Sequence, residues 1–224
     1  MRNLKKFLAL VLAMIMAMSL MITANAANVT FEDDSDITEQ FEEAVLVLGG
    51  LNVFKGTDEG KFNPKAEITR AEVAAIIYRL VTGDINDNQV KIYADYNKFK
   101  DVSETAWYAG YVGFCANAEY IKGHNGYFYP MNKVTGYEAL AMILRAVGYD
   151  QAGEFSGSGW QVRVASLSKQ KHVTDTVSND DFATTLNKAA TREVVAELLF
   201  RASLIPQVTY SSALGYNDKQ GIIN

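Results

Sequence analysis

One pattern occurs three times in this chain, and that recurrence constrains its fold more than any other feature. A threonine, a short polar stretch and an apolar run ending in arginine span Thr69 to Arg79, Thr135 to Arg145 and Thr191 to Arg201. Each arginine stands ten residues after its threonine, and threonines at 69, 135 and 191 set a unit of about 60 residues with variable loops. Apolar residues spaced three and four apart make each run an amphipathic helix. Upstream lie a second helical segment and a turn: Phe41 to Leu51 before Val53–Pro64, and Trp107 to Tyr120 before Ile121–Pro130. Glycine, asparagine and aspartate permit tight turns, and Pro64 and Pro130 close them. The third unit is worn: Trp160 precedes Val173 as Trp107 precedes Ile121, but Thr174 to Ala189 lacks the Gly-Phe-Pro signature. Two helices per unit cannot bury both apolar faces alone, so the expectation is an all-α fold in which three helix-turn-helix units share one core.

The start of each second helix carries further information. Thr69 and Thr135 suit N-caps, with Glu72 and Glu138 three residues on, the spacing of a capping box that satisfies two orphan backbone donors. Thr191 is followed by Arg192-Glu193-Val194, so that box is lost in the third unit. Arg70 and Arg192 occupy the first helical position, where a cation opposes the helix dipole. An anion held jointly by guanidinium and helix N-terminus explains that placement.

Ile68-Thr69-Arg70-Ala71-Glu72, the Gly56–Pro64 turn before it, and Phe99-x-Asp101-Val102 with Trp107 opening the second unit resemble the S-layer homology (SLH) domain family. The resemblance runs from Val29 to about Ile205. It implies one pseudo-threefold helical domain of repeats at 27–83, 84–148 and 149–205, the last degenerate. It also implies non-covalent attachment to a secondary cell-wall polysaccharide joined to peptidoglycan, typically through a pyruvylated amino sugar held in grooves between repeats. Carried over by position, the glycan-binding residues are Arg70, Arg192, Trp107, Trp160, Gly56 and Gly123, with Thr69, Glu72, Thr135, Glu138 and Thr191 as supporting caps. Gly136 replaces the motif arginine in the second repeat, which weakens the groove depending on it unless Lys133 compensates. Core packing accounts for Trp107 and Trp160 equally well from sequence; the resemblance favours ligand contact.

Residues 1–26 read as a cleaved secretory signal. Arg2, Lys5 and Lys6 precede an apolar run from Phe7 to Ile22, too short to span a bilayer, and Ala24-Asn25-Ala26 offers a cleavage site. Beyond Ala26 the chain has 18 basic and 26 acidic residues, a net charge of −8. Such a field disfavours nucleic acid and anionic membrane, so an anionic ligand must be held by local geometry. Cys115 is the sole cysteine and lies in an apolar run, which points to a buried, inert thiol.

Other constellations read as structural. Asp84-Ile85-Asn86-Asp87-Asn88 with Asp95 imitates a calcium loop, but Gln89 stands where glycine belongs, leaving a solvated linker. Asp33-Asp34-Ser35-Asp36 reads as a solvated terminal segment, Gly153–Gly159 as a flexible connection, and 206–224 as a linker or the start of a further region. No motif calls for a metal or cofactor. The expectation is a non-enzymatic, monomeric wall anchor exported to the cell surface. The alternatives are an extracellular polysaccharide hydrolase with an unassigned acid pair, or a self-assembling S-layer protein.

Overall fold

The computed structural model describes residues 31–177 and 182–218; the expected signal segment and its cleavage site lie outside them. Three helix pairs carry the architecture: α1 (Glu42–Gly50) with α2 (Arg70–Thr82), α3 (Ala109–Asn117) with α4 (Gly136–Val147), and α5 (Trp160–Gln170) with α7 (Arg192–Ser203). A short α6 (Phe182–Asn187) precedes α7. The all-α expectation therefore holds, with one small exception at the C-terminal end.

Each motif helix is preceded by an extended piece, and the three pieces bond in a closed ring. Ile68 N–H donates to Ala190 O (3.0 Å), Ala190 N–H to Val134 O (2.8 Å), and Val134 N–H to Ile68 O (3.1 Å). All three residues are buried, so the ring satisfies backbone groups that water cannot reach. Around it the units interlock cyclically. α3 packs on α2, α5 on α4, and α1 closes the circle on α7. Each unit's first helix thus covers the motif helix of the unit before it, which is why no unit completes its own core. One hydrophobic cluster runs through all three.

The worn third unit keeps the backbone of the others. Asn52, Glu119 and His172 follow the first helices in left-handed conformation, with φ of 55°, 60° and 61°. The next residues, Val53, Tyr120 and Val173, donate back to Leu48, Cys115 and Ser168 at 3.0, 2.9 and 2.9 Å. Cys115 is fully buried as expected, and burial pushes its thiol well up.

Three segments expected to be loose are ordered over their described residues. Asp84 accepts from the Asn88 and Gln89 N–H groups and from Tyr78 Oη, so its carboxylate is spent on protein donors. The segment after it forms a 3₁₀ helix, Val90–Tyr96, laid on α3. Gly110 and Gly113 permit that approach: a Cβ on either would lie 2.0 Å from Val90 O or 1.9 Å from Tyr93 O. The Gly153–Gly159 connection is gathered by Arg163, which donates to the carbonyls of Glu154, Ser156 and Ser158. Within the tail, Val208–Ser211 pairs antiparallel with Gly215–Asp218. Tyr216 packs on Tyr149 and accepts from Gln151 N–H, docking the hairpin on the body.

Candidate ligand cleft between repeats

Two capping boxes form as their spacing predicts. Glu72 N–H donates to Thr69 Oγ1 while Thr69 N–H donates to Glu72 Oε2, and Thr135 with Glu138 repeats the arrangement. The third cap differs: Thr191 Oγ1 is buried without a hydrogen-bond partner among the described residues. Its neighbour Glu193 accepts instead from Thr38 N–H, Thr38 Oγ1 and Lys65 Nζ, tying α7 to the N-terminal segment.

The helix N-termini do not hold an anion, which corrects the reading of Arg70 and Arg192. The first donors of α2, Arg70 and Ala71 N–H, go to Asn132 O and Pro130 O at 3.0 and 2.9 Å. Those of α7, Arg192 and Glu193 N–H, go to Ala66 O and Pro64 O at 2.9 and 3.1 Å. A neighbouring unit's carbonyls therefore occupy the place of the expected anion. The guanidinium groups follow the same logic. Arg70 Nε donates to Phe128 O and Nη2 to Lys122 O; Arg192 Nε donates to Phe62 O and Nη2 to Lys55 O. Each also lies over a buried phenylalanine, Arg70 4.7 Å from the Phe128 centroid and Arg192 4.9 Å from that of Phe62. A cation at the first helical position is repaid by partial charges across the junction. Burial lowers both arginine pKa values from an ordinary value so high that both stay charged.

Beyond this strut, the three junctions diverge. Arg192 faces a cleft of roughly 160 Å³ that gathers Lys55 and Glu72 from the first unit and Trp107 from the second. Arg79 joins them, with Phe54, Ala75 and Ile76 completing the lining. Trp107 is 55% exposed and meets Tyr108 and Tyr111 edge-on, so the core-packing alternative does not apply to it. Arg192 Nη1 has no hydrogen-bond partner among the described residues. Lys55 and Arg79 are both bonded to Asp87. Burial alone would raise the Asp87 pKa, but the hydrogen bonds from Arg79 and Lys55 hold it below the usual carboxylate value.

At the second junction the corresponding residues are more fully spent. Arg70 Nη1 reaches Glu138 at 3.3 Å, and Arg145, the counterpart of Arg79, is buried against Asp150 at 2.6 Å. Lys122 also bonds Asp150, as Lys55 bonds Asp87. Trp160 opens α5 half-buried against the core.

The third junction has no place for an arginine. A Cβ on Gly136 would sit 2.8 Å from both the Cα and a methyl of fully buried Leu186, on α6. Lys133 does not fill this gap; its Nζ donates to Glu67 O at 2.7 Å, beside the central ring. The counterpart of Lys55 and Lys122 here is Asp175, bonded to His172.

Gly56 and Gly123 lie beside Lys55 and Lys122, and the structure shows why each is glycine. A Cβ on Gly123 would meet Tyr127 O at 2.4 Å and the Phe99 ring at 2.5 Å; one on Gly56 would meet the Phe31 ring at 3.3 Å. The same comparison exposes residues that the sequence reading missed. Asp101 accepts from Phe128 and Tyr129 N–H, and Asp33 accepts identically from Phe62 and Asn63 N–H. Asp33 is thus a turn clamp and not a solvated terminal residue. Phe31-x-Asp33, the counterpart of Phe99-x-Asp101, was the available signal. Lys55, Arg79 and Asp87 were also missed, although each repeats as Lys122, Arg145 and Asp150.

The described residues thus form a cyclic helical body with a cleft at one junction, lined by the Arg192 strut, Lys55, Arg79, Glu72 and Trp107. A model of the S-layer homology domain matches residues 30–74 and 98–140, and the chain belongs to that family. It is 30% identical to the Middle cell wall protein of Brevibacillus brevis over 175 residues, 76% of this chain and 16% of the relative. The Surface layer protein of Brevibacillus choshinensis is 28% identical over 210 residues, 91% of this chain and 18% of the relative. The Cell surface protein of Thermoanaerobacter kivui is 30% identical over 150 residues, 66% and 19% respectively. The chain spans less than a fifth of the length of these relatives. It is a secreted cell-surface protein, and no helix among the described residues is long and apolar enough to cross a membrane.

Proposed function

We propose that this chain is a non-enzymatic anchor that holds an acidic sugar of the secondary cell-wall polysaccharide in the Arg192–Trp107 cleft. Anchoring to the cell wall is the general role of the family; the ligand and the cleft are our reading. The observation that carries it is the unspent Nη1 of Arg192 beside Lys55, Arg79 and a half-exposed indole. A ketal carboxylate, as on a pyruvylated sugar, suits the cations, with charge-assisted hydrogen bonds of about 1.5–3 kcal/mol each. The indole offers the pyranose ring a flat apolar face. The Arg70 junction ranks second, because Arg70 Nη1 is already paired with Glu138 whereas Arg192 Nη1 has no such partner among the described residues. The Gly136 junction carries no site. Residues 149–205 are read as a degenerate third repeat that completes the body, and the anchor acts as a monomer.

Sedimentation of the chain with purified wall sacculi tests this. Trp107→Ala is expected to weaken binding about tenfold, equivalent to ~1.4 kcal/mol, without changing thermal stability. Arg192→Lys, which keeps charge but loses the fork, should weaken it further. Binding unchanged in both variants would place the ligand elsewhere.

A further inference from the structure

The second unit's turn carries an aromatic face that neither the fold nor the cleft uses. Tyr127 and Tyr129 flank fully buried Phe128 and are 38% and 43% exposed. Their rings lie near-parallel, 25° apart with centroids at 5.8 Å, and Lys100 Nζ stands 5.4 Å from the Tyr127 centroid. Neither ring joins the hydrophobic cluster. Tyr129 also has a φ of 58°, a left-handed conformation that a bulky residue adopts only at a cost.

The first unit provides an internal control. Its equivalent residues are Lys61 and Asn63, flanking fully buried Phe62. Asn63 has the same φ, 56°, and its N–H is held by Asp33 as that of Tyr129 is held by Asp101. Asparagine tolerates this conformation, so the backbone does not require an aromatic there. The second unit keeps a strained, exposed tyrosine where its own sibling uses a relaxed polar residue. Strain retained at a surface position points to function.

We infer that Tyr127 and Tyr129 form a second saccharide platform, one that takes the apolar face of a pyranose ring from a polysaccharide chain. Two adjoining phenols present an area suited to sugar rings and far below what a stable protein interface buries. The phenol hydroxyls and the Lys100 ammonium border that face with hydrogen-bonding groups, the arrangement that a sugar's apolar face and ring hydroxyls need. The platform is attached to the wall of the second junction, since Phe128 O accepts from Arg70 Nε at 2.8 Å. The identity of the polymer rests on the wall-anchor reading above; the platform itself needs no acidic group and is independent of the Arg192 cleft.

The test uses soluble polysaccharide released from cell walls by mild acid, titrated into the chain with tyrosine-ring resonances followed by NMR. It is run in the wild type and in Trp107→Ala, which impairs the cleft alone. Expected are shifts at Tyr127 and Tyr129 in both proteins. Tyr129→Asn should weaken binding to sacculi three- to tenfold while leaving the melting temperature equal to or above that of wild type. Silent tyrosine resonances at saturation, or undiminished binding by Tyr129→Asn, overturn the platform even where Trp107→Ala still weakens binding. A lowered melting temperature in Tyr129→Asn also overturns it, because the tyrosine is then a packing residue. Tyrosine shifts together with no effect of Trp107→Ala support the platform and overturn the cleft.

Discussion

The Arg192 and Gly136 junctions share a backbone and differ in nearly everything else. At both, an extended piece enters the central ring and the first helical N–H donates to another unit's carbonyl, Ala66 O for Arg192 and Lys188 O for Gly136. At one, a guanidinium reaches across to Phe62 and Lys55 and borders an open cleft. At the other, Leu186 presses directly on the glycine and closes the gap. The motif arginine is therefore a strut in the structure and, in the function proposed above, also a ligand donor. A repeat can abandon the second while a packed hydrophobe replaces the first.

The sharpest way to break this comparison is Gly136→Arg. The new side chain meets Leu186 and the backbone of α6, and we expect a loss of about 3 kcal/mol in urea unfolding with no gain in wall binding. Tolerance with increased binding would show that the third junction can open. Next in size is Asp101→Ala, which orphans two N–H donors of the second unit's turn; a loss of about 2 kcal/mol is expected by the same measurement. Asp33→Ala should match it, because the two clamps are equivalent, and a much smaller effect at Asp33 would break the equivalence of the first two units.

Acid sensitivity gives a third, smaller effect. Burial alone would raise the Asp150 pKa, but hydrogen bonds from Lys122, the Phe155 N–H and Arg145 outweigh it and hold the carboxyl below its ordinary 3.8. Asp87 is depressed by Arg79 and Lys55 in the same way. A carboxylate with a folded pKa below its unfolded one stabilises fully above the unfolded value, and that stabilisation fades as pH falls through the folded value. The urea midpoint should thus be flat on this account from neutrality to about pH 5 and decline below about pH 4. Asp150→Asn should lower the midpoint at neutral pH and shallow the acid decline. Smallest is the stability change of Trp107→Ala, expected within about 0.5 kcal/mol because the indole is half-exposed.

Local features were legible before the structure. The two capping boxes and the glycine turns follow from residues within a few positions of each other. Arg192 and Trp107 line the same cleft, but the reason for choosing Arg192 failed. The helix N-terminus proposed to hold an anion is filled by Ala66 O and Pro64 O, well over a hundred residues away in sequence. Asp84 and Asp87, read as part of a solvated linker, are instead bonded to Tyr78, Arg79 and Lys55.

By itself, then, the sequence determined the period of the units, the three motif helices and the helices preceding the first two, two capping boxes, and the positions at which the repeats depart from one another. Only the tertiary structure decided which helix covers which, what each arginine holds, and which junction stays open. The reason is range. Caps and turns are settled by contacts three or four residues apart, while Arg70 reaches partners 52 to 68 residues away and Arg192 partners 130 to 137 away. Those partners meet only when the ring closes.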